Sequence, residues 1–122
     1  FYYEPTLRDR LLPYWVYNAP GIPDEPRDVS AATVTASALY ELSMYDETNR
    51  TGYVDRADRI LENLTNRYRA SVGKDCGFLL LHSTGSKTHG SEVDVPIVYA
   101  DYYYLEALLR KAKLEKEGTA LL

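Results

Sequence analysis

The chain has 122 residues and a mass of 13.9 kDa, enough for one small domain with its own core and too little for two. With 45% hydrophobic and 26% charged residues its composition is globular, and no apolar run reaches the length of a membrane-spanning helix. A formal charge of -4 and an isoelectric point near 5.1 argue against nucleic acid as a partner, because a phosphate backbone calls for a net basic face.

Tyr accounts for 12 of the aromatic residues, beside 2 Phe and 1 Trp. Tyr suits half-wet surfaces, where the ring packs and the hydroxyl bonds, so this composition fits both carbohydrate clefts and ordinary helix packing. Cys76 is the single cysteine, which excludes an internal disulfide and a multi-Cys metal site; a small buried apolar role is expected of it. Asn49-Arg50-Thr51 and Asn63-Leu64-Thr65 fit the glycosylation acceptor pattern, which matters if the chain is secreted from a eukaryotic cell. The chain starts at Phe1 without Met or a leader-like segment, and is therefore expected to be a piece of something longer.

Residues 1 to 27 hold five of the six Pro, so an extended loop is expected there, with a turn of helix near Leu7 to Leu12. Tyr14, Trp15 and Tyr17 are its apolar payload. A first helix is expected from Asp28 or Ser30, either of which caps free N–H groups, to about Tyr45, and its small residues imply close helix contacts. The turn formers of Asp46 to Gly52 end it. A second helix over about Tyr53 to Tyr68 follows from Tyr53, Ala57, Ile60, Leu61, Leu64 and Tyr68, which recur at spacings of three and four, with a solvated stripe of Arg56, Asp58, Arg59, Glu62 and Arg67 opposite.

Gly77 to Leu81 is an apolar segment too short for a helix, expected as a strand or an extended stretch. A polar loop rich in Gly, Ser and His runs from residue 82 to 94, and Pro96 then fits the first turn of a third helix over about Val95 to Lys113. Asp94 is the expected N-cap of that helix, and the tail after the basic turn Arg110, Lys111 and Lys113 is expected to fray. This helix is apolar nearly all round, so it needs more protein around it than the chain supplies, and the 122 residues alone are expected not to fold stably. The residues by themselves define an all-α chain with one polar loop.

Several motifs then recur in a fixed order: Pro13-Tyr14-Trp15, Ala19-Pro20-Gly21-Ile22-Pro23-Asp24-Glu25-Pro26-Arg27-Asp28, His82-Ser83-Thr84-Gly85-Ser86, Gly90-Ser91-Glu92-Val93-Asp94-Val95-Pro96, and the run from Tyr99 to Leu108. Together they resemble the C-terminal third of the unsaturated glucuronyl hydrolases. The resemblance implies an α/α toroid of six helical hairpins, with this chain, residues 1–122, supplying about the last two within a single catalytic domain.

It also implies a cofactor-free hydrolase that hydrates the C4–C5 double bond of the unsaturated uronic acid at the non-reducing end of lyase-generated oligosaccharides. The catalytic Asp residues of the family lie upstream of every motif present, so none is assigned to this chain. The expected partners are an unsaturated uronyl oligosaccharide and the remainder of the parent protein, with no nucleic acid and no membrane. Unsaturated rhamnogalacturonyl hydrolysis and a non-catalytic helical module that binds sugars or a protein are the alternatives.

The resemblance makes the loop a substrate-binding element, represented here by Ser83, Ser86, Lys87 and His89. Hydroxyls that converge beside one ammonium suit a sulfate or a carboxylate. Some members bind sulfate with Ser, two residues, Ser, one residue, Lys, whereas Lys87 directly follows Ser86 here. His82 and His89 lack the Cys or carboxylate companions of a metal site, so no metal is expected. Asp28 reads as a helix cap with Arg27 as its ion-pair neighbour, Asp101 and Glu106 as anchors for neighbouring helices and loops, and Trp15 as a plug against the core.

Overall fold

The computed structural model describes residues 11–16 and 19–120. The helical turn expected near Leu7 to Leu12 and the Tyr17 ring lie largely or wholly outside that range. Three α-helices, α1 (Val29–Leu42), α2 (Arg50–Arg67) and α3 (Val98–Ala120), carry the fold; among the described residues the remaining pairing is limited to isolated bridges, so the chain is all-α.

Asp28 starts α1 as expected. Its extended backbone lets Oδ1 accept the Ser30 N–H at 3.0 Å and the Ser30 hydroxyl at 2.6 Å. The helix stops at Leu42 rather than Tyr45 because its carbonyls find other partners: the Ser43 hydroxyl donates to the Tyr40 carbonyl at 2.6 Å, and the Arg50 Nε donates to the Ser43 carbonyl at 2.8 Å. That second bond draws Arg50 inward, and α2 begins there, three residues before the position expected from apolar spacing.

The seam of α2 is the one its periodicity implies. Ala57, Ile60, Leu61, Leu64 and the flanking Tyr68 are buried with Val29, Ala32, Ala36 and Tyr40 of α1 in one core, to which Tyr104 and Ala107 of α3 also belong. Each large apolar side chain fully buried there contributes about 1.5–3 kcal/mol of transfer free energy. Thus α1 packs along both other helices, which meet each other only narrowly.

Polar staples fix this arrangement. The Tyr40 hydroxyl donates to Asp58 at 2.5 Å, and the Lys111 ammonium approaches the same carboxylate oxygen at 2.6 Å, so Asp58 ties three helices together instead of joining a solvated stripe. Burial and the Asp58 bond push the Tyr40 hydroxyl far above its ordinary pKa. Glu106 accepts from the Ser37 hydroxyl at 2.5 Å, while Arg110 donates to the Ser37 carbonyl at 2.9 Å and pairs with Glu41 at 3.0 Å. Glu106 is therefore a helix anchor, in line with its sequence reading.

Of the segment expected to be extended, Gly77 instead closes a 3-10 turn, Asp75–Gly77, with φ 86°, and the stretch after it makes a single antiparallel bridge between Arg69 and Leu80. Asp101 orders it: its two carboxylate oxygens accept the N–H groups of Leu79 at 2.9 Å and Leu80 at 3.1 Å. Cys76 is exposed and has a φ of 54°, so the buried role expected of it does not hold; the turn that delivers the chain to this segment turns its side chain outward. The third helix starts at Val98, two residues beyond Pro96, and runs on to Ala120, so the stretch expected to fray is helical. Lys111–Glu115 and Lys113–Glu117 pairs, at helical spacing of four, support this extension. No helix among the described residues is long and apolar enough to cross a membrane.

Candidate functional site

The polar loop is a small hairpin rather than an irregular connection. Ser83 and Val95 exchange both backbone hydrogen bonds at 2.9 Å, Gly85 donates to Glu92 at 2.8 Å, and Ser91 donates to Ser86 at 3.2 Å. A single 3-10 turn, Lys87–His89, closes the tip, and Gly90 with φ 67° supplies the left-handed residue that reverses the chain. Gly85 leaves room for the Glu92 carboxylate, which lies 2.5 Å from where a Cβ would be and would have to shift for a larger residue.

His82, Glu92 and Asp94 also have positive φ, at 67°, 49° and 55°. Such residues persist only where their surroundings over-determine them. Here the surroundings are the start of α1. The Val29 N–H donates to the His82 carbonyl at 3.2 Å, the Thr84 N–H donates to Asp28 Oδ1 at 3.2 Å, and the Thr84 hydroxyl donates to the Arg27 carbonyl at 3.2 Å. Asp28 thus caps a helix and clamps the hairpin with one oxygen.

Asp94 is not the N-cap of α3. Its carboxylate lies 2.6 Å from His82 Nδ1, across the base of the hairpin, because its left-handed backbone turns it away from the helix start. Arg27 does not pair with Asp28 either. Its guanidinium sits 3.8 Å from the Tyr14 ring centroid and donates to the Leu12 carbonyl at 2.5 Å, holding the Pro-rich segment to itself.

The residues expected to meet substrate divide into two sets. Ser83 is 0% exposed, with its hydroxyl buried and unpartnered, so it lies beneath the surface of the hairpin and not on it. Ser86, Lys87 and His89 are together at the tip: the Ser86 hydroxyl is 3.1 Å from His89 Nδ1, and the Thr88 hydroxyl is 3.4 Å from the same nitrogen. His82 and His89 sit at the base and tip respectively, and among the described residues no three His, Cys, Asp or Glu side chains converge on a possible metal position.

Facing the tip is a cluster that sequence reasoning did not assemble. Glu25 Oε2 accepts from the Trp15 indole N–H at 2.7 Å and from the Lys87 ammonium, which also lies 4.8 Å from the Trp15 ring centroid. Glu25 Oε1 accepts the Gly21 N–H at 3.1 Å. The Lys87 and Trp15 bonds hold the Glu25 carboxyl below the usual carboxylate range. Trp15 is half-buried beside the tip rather than fully enclosed as a plug. Glu25 and Lys87 are 62 positions apart, and no spacing rule links an acid in a Pro-rich loop to a lysine in a hairpin.

A separate cleft of about 600 Å³, bordered by Leu39, Leu42, Tyr53 and Arg56, opens at the far end of α1 and brings no cluster of reactive groups together. A helix of 14 residues spans about 20 Å, which separates this cleft from the hairpin docked on the opposite end.

Comparison with known proteins gives this helical arrangement its family. No family model matches the chain. It is 47% identical over 116 residues to the unsaturated glucuronyl hydrolase of Formosa agariphila, a match that covers 93% of this chain and 28% of that protein. The crystal structure of an unsaturated glucuronyl hydrolase specific for heparin superposes with a TM-score of 0.88 at 40% identity, covering 93% of this chain and 30% of that one. A mutant unsaturated glucuronyl hydrolase from Streptococcus agalactiae, complexed with dGlcA-GalNAc6S, superposes with a TM-score of 0.76 at 29% identity over 83% of this chain and 28% of its own.

The fold class is therefore that of the α/α toroid hydrolases. The chain belongs to the unsaturated glucuronyl hydrolase family and corresponds to a C-terminal part of it, spanning little more than a quarter of the length of the curated relatives it matches.

Proposed function

We propose that the protein carrying this chain hydrates the C4–C5 double bond of an unsaturated uronic acid at the non-reducing end of an oligosaccharide. The observation that supports this reading most strongly is the 47% identity sustained over 93% of the chain to an unsaturated glucuronyl hydrolase. A proton is added to C4 and water to C5; the hemiketal so formed opens and releases the next sugar. The acid that delivers the proton belongs, in this reading, to the part of the toroid outside these residues.

The chain supplies one wall of the substrate cleft. Ser86, Lys87 and His89 meet the sugar next to the uronic acid, and the exposed part of the Trp15 ring offers an apolar face to it. Ser83 works from below, its bridge to Val95 setting where the hairpin begins. The stripe Val98, Tyr102, Leu105 and Leu109 on α3, spaced four, three and four residues apart and exposed in this chain, packs against the remainder of the same domain.

Incubating the full-length protein with an unsaturated uronyl disaccharide tests the assignment. The ultraviolet absorbance of the conjugated double bond is expected to disappear; an unchanged absorbance contradicts the proposal.

A further inference from the structure

Lys87 brings an ammonium to the hairpin tip, where an isolated cation would favour an anionic group on the bound sugar. It is not isolated. Glu25, at 10% side-chain exposure, is more enclosed than Lys87, at 32%, and every contact around it fixes its carboxylate in place. One oxygen is occupied by the Gly21 N–H at 3.1 Å, the other by the Trp15 indole and the Lys87 ammonium. The carboxylate lies close over Gly21, 2.6 Å from where a Cβ would be, so a larger residue there would require Glu25 to shift. This is a preorganised anion pointed at the one ammonium of the loop.

We infer that Glu25 is a specificity-determining residue, which holds Lys87 over Trp15 and so biases the adjoining subsite against a sulfated sugar. The inference rests on the proposed function and deepens it. An anion that approaches Lys87 must either displace a carboxylate held by two other donors or bind beside it and meet its negative charge. A neutral sugar meets neither obstacle: it can rest on the exposed part of the Trp15 ring while the ion pair stays closed. Discrimination then comes from a repulsive element built into the wall, as well as from contacts to the preferred sugar. Glu25 acts through Lys87 and Trp15 and is a positioning residue.

The test uses the full-length protein and two unsaturated uronyl disaccharides that differ only in a sulfate on the second sugar. The readout is the ratio of kcat/KM for the sulfated over the unsulfated substrate. Glu25→Gln keeps the shape and releases the ammonium, and the ratio is expected to rise about tenfold, the size of one charge-assisted hydrogen bond gained by the sulfate. In the double variant Glu25→Gln with Lys87→Met the ratio is expected to return to the wild-type value. A ratio unmoved by Glu25→Gln, or a rise that survives in the double variant, overturns the inference while leaving the proposed function standing. Absence of turnover of both substrates by the wild type overturns the proposed function and the inference with it. Should Glu25→Gln fail to fold, Glu25→Asp, one methylene shorter, provides the same reading: a smaller rise supports the inference and an unmoved ratio overturns it.

Discussion

Helices α1 and α3 share the seam made by Ser37, Glu106 and Arg110, yet they differ in how the chain treats their other faces. The small and medium residues of α1 are enclosed by α2 on one side and α3 on the other, whereas α3 buries Ala100, Tyr104 and Ala107 and leaves Val98 71% and Leu109 72% exposed. Both helices are rich in apolar residues, so composition does not separate them. An apolar stripe records the partners a helix has, and the outer stripe of α3 is the one for which a partner beyond these residues is proposed.

The largest expected effect tests that partner. Leu64, fully buried between α1 and α2, is expected to lose about 3 kcal/mol on substitution by Ala in denaturant unfolding of the full-length protein. If the outer stripe of α3 is covered there, Leu109→Ala costs a similar amount, about 2–3 kcal/mol. A loss below about 0.5 kcal/mol, the usual size at an open surface, would show α3 to be as solvent-facing in the whole protein as it is here.

A comparable or smaller effect is expected where α3 and α1 hold the loops. Asp101→Ala leaves the Leu79 and Leu80 N–H groups without their acceptor, at about 2–3 kcal/mol, and Asp101→Asn recovers part of it through the remaining oxygen. Asp28→Ala removes the cap of α1 and the clamp on Thr84 together, with about 1–2 kcal/mol lost in the same unfolding measurement.

The smallest effect is a pH dependence. The Glu25 carboxyl is held below its ordinary 4.5 by Lys87 and then Trp15, so its contribution to stability is complete above that value and fades as pH falls through the lowered one. The stability gap between wild type and Glu25→Gln is therefore expected to be constant near neutrality and to shrink in acid. A gap that widens below pH 4.5 would reverse the sign.

Much of this fold was legible in the sequence because its signals are local. Apolar spacing located α2, a capping side chain located the start of α1, and the Gly and Ser content of residues 82–94 marked the hairpin as a loop. Helix ends were less legible: Ser43 and Arg50 shift one boundary by competing for carbonyls, and the ion pairs after Arg110 carry α3 on to Ala120. Ser83, Ser86, Lys87 and His89 are recognisable in the sequence as members of one polar loop, but which of them reach the tip and which is buried depends on how the hairpin forms and docks. Glu25 and Asp58 were missed for one reason: their partners are distant in sequence, so each reads as an ordinary surface acid until the chain is folded.

The proposed role of the hairpin as a wall of the sugar site in a larger toroid can be seen in one measurement. A crystal structure of the full-length protein with an unsaturated disaccharide bound measures this directly. The second sugar is expected within hydrogen-bond distance of Ser86, Lys87 or His89, and the Val98 to Leu109 stripe is expected to be covered by protein. A sugar bound away from the hairpin tip, with the stripe open to solvent, would contradict that role.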